Sequence, residues 1–410
     1  MKDEAAPGRR CPCQKPETSA VPLSTTRRRF VFLGGYYPQG ATEIHHRFQR
    51  GLGHFARTWG LTATASGYDA PATRWQVDAA GAGWCQQTEV LLFDWEDLIL
   101  ADRARGWPER LASGLTTFAD IVLSGTAFRY ARASWRYLLF FLYPFVLLFA
   151  LLAAGWLAAG IIPIGPSTRI VLGLALGAGF VVALDRMLHI GHLIDDWIYA
   201  RTLMRGTDAN ADARLAALAT TLGAGEGEIV IFGHSLGAVH GAVLIDAMIA
   251  ADPGGPPIRF ATAGSSILKI GLHPAATRLR AVIGRIAQSP RVLWVDFQAH
   301  NDAMNFYKAE PVASLGLTGR PADIRPVRFS AMLSPERYRR IRRNFFRLHS
   351  QFISANDRRG RYDFFMLACG PFRLEQLAAS QSGAMDWIDA DGGLTPAGAA
   401  QHETKGPRTP

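Results

Sequence analysis

Cysteine is scarce in this chain. Four residues in 410, at positions 11, 13, 85 and 369, follow no spacing of a disulfide framework, so the sequence predicts reduced thiols in a reducing compartment. Cys11 and Cys13 have no second ligand pair nearby, and no zinc site is expected there. No aromatic RNP pattern, zinc finger or helix-turn-helix accompanies the formal charge of +10, which excludes the common nucleic-acid modules. The arginine-rich excess points instead toward anionic lipid. The first apolar run is too short for a secretory h-region, so no cleavable signal peptide is expected.

Charge itself is missing from one long stretch. Residues 137 to 168 hold no Asp, Glu, Lys, Arg or His in 32 positions and include LLFFLYPFVLLFALLAAGWLAAGII. About 20 apolar residues suffice to span a bilayer. Tyr137 to about Ile162 therefore reads as a membrane-spanning helix, Pro163 to Ser167 as a turn, and Ile170 to Leu184 as a second, Gly/Ala-rich span whose small residues permit close helix packing. Arginines 129, 132 and 136 precede the first span and Arg186, Arg201 and Arg205 follow the second, with only Arg169 between them. The positive-inside rule then puts both large flanks on the cytoplasmic side of the inner membrane.

Around this hairpin the chain alternates strand and helix patterns. Candidate strands are Phe30–Leu33, Leu61–Ser66, Trp75–Ala79, Thr88–Phe93, Ile229–Phe232, Ile258–Thr262, Arg291–Asp296 and Pro326–Leu333. Helices are expected over Glu43–Thr58, Leu111–Phe128, Ala211–Leu222 and Pro335–His349, the last carrying six arginines for anionic headgroups or for solvent. The pattern predicts an α/β class: a mostly parallel sheet with helices on both faces, interrupted by a transmembrane helical hairpin. The expected layout is a disordered tail (1–26), a first part of the α/β domain (27–128), the hairpin and its flanks (129–206), a second part (207–390) and a loose tail (391–410).

The segment EIVIFGHSLGAVHG carries the chemistry. An apolar strand ends in Gly233-His234-Ser235-Leu236-Gly237 and an Ala-rich helix follows. A G-x-S-x-G turn so placed holds its serine in a strained conformation above the sheet edge, and the helix behind it aims free N–H groups and the positive dipole end at a forming oxyanion. Ser235 is the candidate nucleophile. A serine hydroxyl needs a base and an orienting acid, in the chain order Ser, acid, His. His273 precedes the acid candidates, His300 lies among them and His402 sits in the tail, which leaves His349 as the base. Asp296, ending a strand, and Asp302, in the loop beyond it, compete for the acid, with Asp302 better placed to reach. Strand Phe30–Leu33 ends in Gly34-Gly35-Tyr36, a loop whose N–H groups would join that of Leu236 as oxyanion donors, or else form an ordinary turn.

Two other polar clusters read as structural. Asp94-Trp95-Glu96-Asp97 suits a helix N-terminus. His189-x-x-His192 with Asp195-Asp196 has metal-like spacing, but no motif completes it. No metal or cofactor is expected.

GHSLGA, VLWVD with NDAMNF behind it, and RLHSQF resemble the α/β-hydrolase superfamily with a lipase- or esterase-like site. LGGYYPQG and TEVLLFDWEDL are similar to the opening strands of a bacterial group in which a membrane hairpin is inserted ahead of the nucleophile elbow. The likeness covers roughly residues 28 to 375. It implies Ser235 as nucleophile, His349 as base, Asp302 as acid, and Gly35 or Tyr36 with Leu236 as oxyanion donors. The first loop lacks the His-Gly-Gly-Gly run of many lipases. The expected activity is cleavage of a lipid-like or lipophilic acyl ester by a membrane-anchored serine hydrolase. Acyl transfer or thioester cleavage by the same residues, and a non-catalytic scaffold, are the alternatives.

Overall fold

A computed structural model describes residues 24–67, 73–206, 208–222 and 227–403. Its centre is an eight-stranded sheet of β1 (Ser24–Leu33), β2 (Thr62–Ser66), β3 (Arg74–Gly81), β4 (Trp84–Phe93), β5 (Glu228–His234), β6 (Ile258–Ala263), β7 (Val292–Ala299) and β8 (Asp323–Val327). The order across the sheet is β2-β3-β4-β1-β5-β6-β7-β8. Pairings from β4 through β8 are parallel, and β2 and β3 add an antiparallel edge. The molecule is thus α/β with a mostly parallel sheet.

Residue alternation along the central strands divides the core in two. Phe30 and Phe32 of β1 and Val230 and Phe232 of β5 face one layer, with α1 (Ala41–Trp59) packed on it. Val31, Leu33, Ile229 and Ile231 face the other. A short α2 (Glu96–Arg103) follows β4. Then come α3 (Trp107–Leu123), α4 (Thr126–Ala133), α5 (Trp135–Gly160), α6 (Pro166–Leu188), α7 (Ile190–Arg205) and α8 (Ala209–Leu222), before β5 and α9 (Gly237–Ala251). After β6 lie α10 (Ile267–Gly271) and α11 (Thr277–Gln288), and after β7 the turn α12 (Pro311–Ser314). β8 leads to α13 (Phe329–Met332), α14 (Pro335–Ile341) and α15 (Phe345–His349), and the chain closes with α16 (Phe364–Cys369), α17 (Leu374–Ala379) and α18 (Pro396–Glu403).

Among the described residues two helices are long and apolar enough to cross a membrane, Trp135–Gly160 and Pro166–Asp185. They pack through glycine: a Cβ on Gly155 would lie 2.2 Å from the amide nitrogen of Gly177 and 2.6 Å from the carbonyl of Gly173. The first two turns of α5 belong to the α/β core, where Tyr137 stacks on Phe306 with ring centroids 3.8 Å apart. Farther along, Val146, Phe149, Trp156 and Leu157 are exposed.

Several boundaries differ from the sequence expectation. The run Pro326–Leu333 is not one strand: β8 stops at Val327 because its sole neighbour β7 ends at Ala299, and the chain coils into α13. The expected basic helix Pro335–His349 breaks at residues 342–344, where the Asn344 side chain accepts the Arg347 N–H and starts a new helix. Leu111–Phe128 bends by 69° at Ser124-Gly125, Gly125 being left-handed. The expected N-terminal tail runs to residue 26, yet Ser24–Thr26 already pair with β4, and residues 1–23 lie outside the described residues. The expected loose C-terminal stretch is ordered to Glu403: the Trp84 indole donates to the Gly392 carbonyl, Arg359 donates to Ala390, and α18 follows. Cys85, expected as a free thiol, is disulfide-bonded, whereas Cys369 is free and buried.

Candidate active site

The chain leaves β1 toward the α1 layer and leaves β5 toward the α9 layer, so a crevice opens between their carboxyl ends. Ser235 stands at its floor. Its φ is 56°, in the left-handed region that costs a non-glycine residue about 1–3 kcal/mol and survives only where neighbours enforce it. Enforcement is visible on both sides of the residue. The Ser235 N–H donates to Ala263 at 3.1 Å, and its carbonyl accepts from the N–H groups of Ser266 and Ala238, both at 3.1 Å.

The elbow glycines are required by contact. A Cβ on Gly233 would sit 2.5 Å from Ala238 Cα, and one on Gly237 would sit 2.0 Å from the Leu33 carbonyl oxygen. Helix α9 therefore starts pressed against the end of β1. The loop after β1 comes equally close, because a Cβ on Gly35 would lie 2.8 Å from Ser235 Cβ and 3.3 Å from its Oγ. The backbone N–H groups of Gly35, Tyr36 and Leu236 donate no hydrogen bond among the described residues. Three unengaged donors thus flank the serine in a region where backbone groups are ordinarily paired.

His349 is the last residue of α15 and is buried. Its Nδ1 lies 2.7 Å from Asp302 Oδ2. The other Asp302 oxygen accepts the Met304 N–H at 2.9 Å, and the Asn305 amide fixes the loop by donating to the carbonyls of Ala299 and Asp302. The imidazole rests on Gly264, whose left-handed backbone (φ 56°) leaves no room for a side chain: a Cβ there would lie 2.5 Å from His349 Cε1. On another side it packs on the His234 ring at 4.5 Å. His234 sits 3.2 Å from the His349 carbonyl through Nε2, and burial, reinforced by neighbouring His349, drives its pKa well below the usual value. It is therefore a neutral spacer. His349 Nε2 is buried and has no hydrogen-bond partner among the described residues, Ser235 Oγ included.

Ser235 and His349 line one cavity of about 400 Å³. Phe32, Ile44, Leu193, Met304, Phe346 and Ile353 form apolar walls, and Gly35, Tyr36 and Tyr37 form the roof. Three arginines reach it. Arg337 is paired with Asp357 at 2.6 Å, Arg47 donates to Gln39 at 3.0 Å, and Arg347 is exposed. His192 also lines it, with burial holding its pKa down to about 4, so it is neutral at pH 7.

The second acid candidate lies elsewhere. Asp296 accepts from Thr262 Oγ1 at 2.6 Å and Gln298 Nε2 at 2.8 Å, and burial pushes its pKa up to about 6. The remaining histidines also have other partners: His300 with Asn301, His273 near Asp120 at 3.6 Å, and His402 at the Pro371 carbonyl. Asp94 accepts the Glu96 N–H at the start of α2, and Asp97 pairs with Arg214. The His189/Asp195 cluster is dispersed: Asp195 holds Arg110 and Asp196 holds Lys269. Among the described residues no group of three His, Cys, Asp or Glu side chains is placed to hold a metal ion.

Sequence reasoning missed His234, Gly264 and Asn305 as positioning residues. His234 is an unconstrained position of the elbow motif, and its partner lies 115 residues away. Gly264 follows β6 as one of many strand-ending glycines. Compared with protein-family models, curated proteins and solved structures, the chain matches none.

Proposed function

We propose that the protein is a membrane-anchored serine hydrolase of α/β-hydrolase type that cleaves a lipid-like or lipophilic acyl ester. The observation that carries this reading is the His349 imidazole, held at Nδ1 by Asp302 and unpartnered at Nε2, in the cavity it shares with a strained Ser235. In such an arrangement Nε2 takes the hydroxyl proton as Ser235 Oγ attacks the ester carbonyl, and Asp302 stabilises the imidazolium that forms. Catalytic hydrogen bonds of this kind tighten on substrate binding. The developing oxyanion is met by the N–H of Leu236 together with that of Gly35 or Tyr36. Collapse of the tetrahedral intermediate expels the alcohol, which takes the proton from His349. Water, deprotonated by His349, then attacks the acyl-enzyme, and the carboxylic acid leaves with Ser235 regenerated.

Two features support a lipophilic substrate. Phe32, Ile44, Leu193, Met304, Phe346 and Ile353 give the cavity an apolar part beside its polar lining of Asp196, His192 and three arginines, and the domain is joined to a hairpin long and apolar enough to enter a bilayer. The arginine distribution, with Arg129, Arg132, Arg136, Arg201 and Arg205 on the domain side and Arg169 alone at the far end of the hairpin, at the start of α6, supports a cytoplasmic catalytic domain. The test is hydrolysis of p-nitrophenyl esters of graded chain length by the detergent-purified protein. Turnover that rises with chain length and vanishes in Ser235→Ala supports the proposal. Equal turnover by Ser235→Ala, or none by wild type on any ester, overturns it.

A further inference from the structure

A second cavity lies outside the catalytic one, at the foot of α5. It has a volume of about 570 Å³ and runs between the first turns of α5 and the helices α14 and α15. Leu139, Tyr143 and Phe345 form its apolar bed, and Trp135, Arg136 and Arg342 form its rim. The Tyr143 and Phe345 rings are in edge contact at 5.3 Å.

Among the described residues Arg136 and Arg342 at its rim have no carboxylate partner. Arg136 donates to the His300 carbonyl at 2.8 Å and lies 5.5 Å from the Trp135 ring centroid, and the Arg342 side chain has no partner among the described residues. Two guanidinium groups at the rim of an apolar groove offer an anion site, and Arg is well suited to phosphate. The groove also continues onto an exposed apolar face of α5, a helix long and apolar enough to cross a membrane. Arg136, Leu139, Tyr143 and Val146 follow one another at three- and four-residue steps on one face of α5, and Leu139 and Val146 are exposed. Trp135 and Tyr143 are the residue types that settle at the headgroup level. Headgroup chemistry at one end, tail chemistry along the helix and an interfacial position coincide in one place.

We propose that this groove binds one anionic phospholipid from the bilayer, its phosphate on Arg136 and Arg342 and one acyl chain along Leu139, Tyr143 and Val146. The site is independent of any chemistry at Ser235. It adjoins the catalytic cavity nonetheless: Asn301, next to Asp302, lines it, and Phe345 shares α15 with His349.

The experiment uses the full chain in phosphatidylcholine nanodiscs and reads Trp135 fluorescence as the difference between wild type and Trp135→Phe. Dibrominated phosphatidylglycerol or dibrominated phosphatidylcholine is the quencher. Phosphatidylglycerol is expected to quench Trp135 at lower mole fraction, each arginine contributing a preference of about fivefold. Arg342→Gln, at an exposed position, should remove one such factor, and Arg136→Gln with Arg342→Gln should remove both. Arg339→Gln with Arg340→Gln, outside the groove, should change nothing. Equal quenching by the two lipids, or a preference that the Arg339/Arg340 variant lowers as much as the Arg136/Arg342 variant, overturns the proposal. So does full reversal by inorganic phosphate at matched ionic strength, which would mark a site for soluble anions.

Discussion

Asp302 Oδ2 lies 2.7 Å from His349 Nδ1 although 47 positions separate the two residues in sequence. Replacing the carboxylate with an amide keeps the shape but favours the wrong tautomer of the imidazole. Asp302→Asn is therefore expected to lower kcat by about 10³ to 10⁴-fold with the fold intact. Asp296→Asn, whose contacts are Thr262 and Gln298, should leave kcat near wild type. Steady-state kinetics on the two variants, with circular dichroism as a control, checks both. Comparable losses in both would remove the distinction between them.

The glycines of the site separate chemistry from folding. A methyl group on Gly35 would press on Ser235 at 2.8 Å from a half-buried loop. Gly35→Ala should cost roughly 10 to 10²-fold in kcat/KM, the effect of displacing reacting groups by a fraction of an ångström to an ångström, with little change in melting temperature. Gly237→Ala would drive a methyl to 2.0 Å from the Leu33 carbonyl inside the core. It is expected to destabilise by about 3 kcal/mol or more. Thermal melts paired with kinetics on both variants test the contrast.

Burial raises the pKa of Asp296 to about 6, above its ordinary value of 3.8, which means that the fold prefers its protonated form. The stability it contributes is fully present below about pH 4 and is lost as pH rises through 6. A shift of this size corresponds to on the order of 3 kcal/mol. Denaturation of Asp296→Asn between pH 4 and pH 7 should show a flatter profile than wild type. Parallel profiles would contradict the burial of a titrating carboxyl there.

Close packing of α5 on α6 depends on Gly155, because any side chain meets the Gly177 backbone at 2.2 Å. Gly155→Leu should therefore separate the two helices and lower stability in detergent by about 1–3 kcal/mol. Wild-type protein should also resist carbonate extraction from membranes. Release of the wild type by carbonate would contradict a spanning hairpin.

Much of this arrangement is readable locally. Strand period, paired glycines and helix pattern meet within Glu228–Gly241, and the hairpin declares itself by an uncharged stretch that no soluble helix of that length needs. Other features depend on partners distant in sequence. Asp296, expected to end its strand, lies inside β7, which runs on to Ala299, whereas Asp302 lies in the loop beyond, where the turn that Asn305 holds by its amide swings it toward α15. The end of β8 is set by where β7 stops, since a strand cannot outrun its neighbour's hydrogen bonds. The break before α15 is the work of one side chain, Asn344, and it decides where His349 sits. Order around residue 391 rests on tertiary bonds that a Gly-rich composition conceals, from Arg359 to Ala390 just before it and from Trp84 to Gly392 just after it.

The most direct test is covalent. Full-length protein in detergent is treated with a fluorophosphonate probe, digested and mapped by mass spectrometry. The account predicts a single modified residue, Ser235, labelled in wild type, labelled far more slowly in His349→Ala and not labelled in Ser235→Ala. A wild type that stays unlabelled, or one modified at another serine with Ser235 untouched, would contradict it.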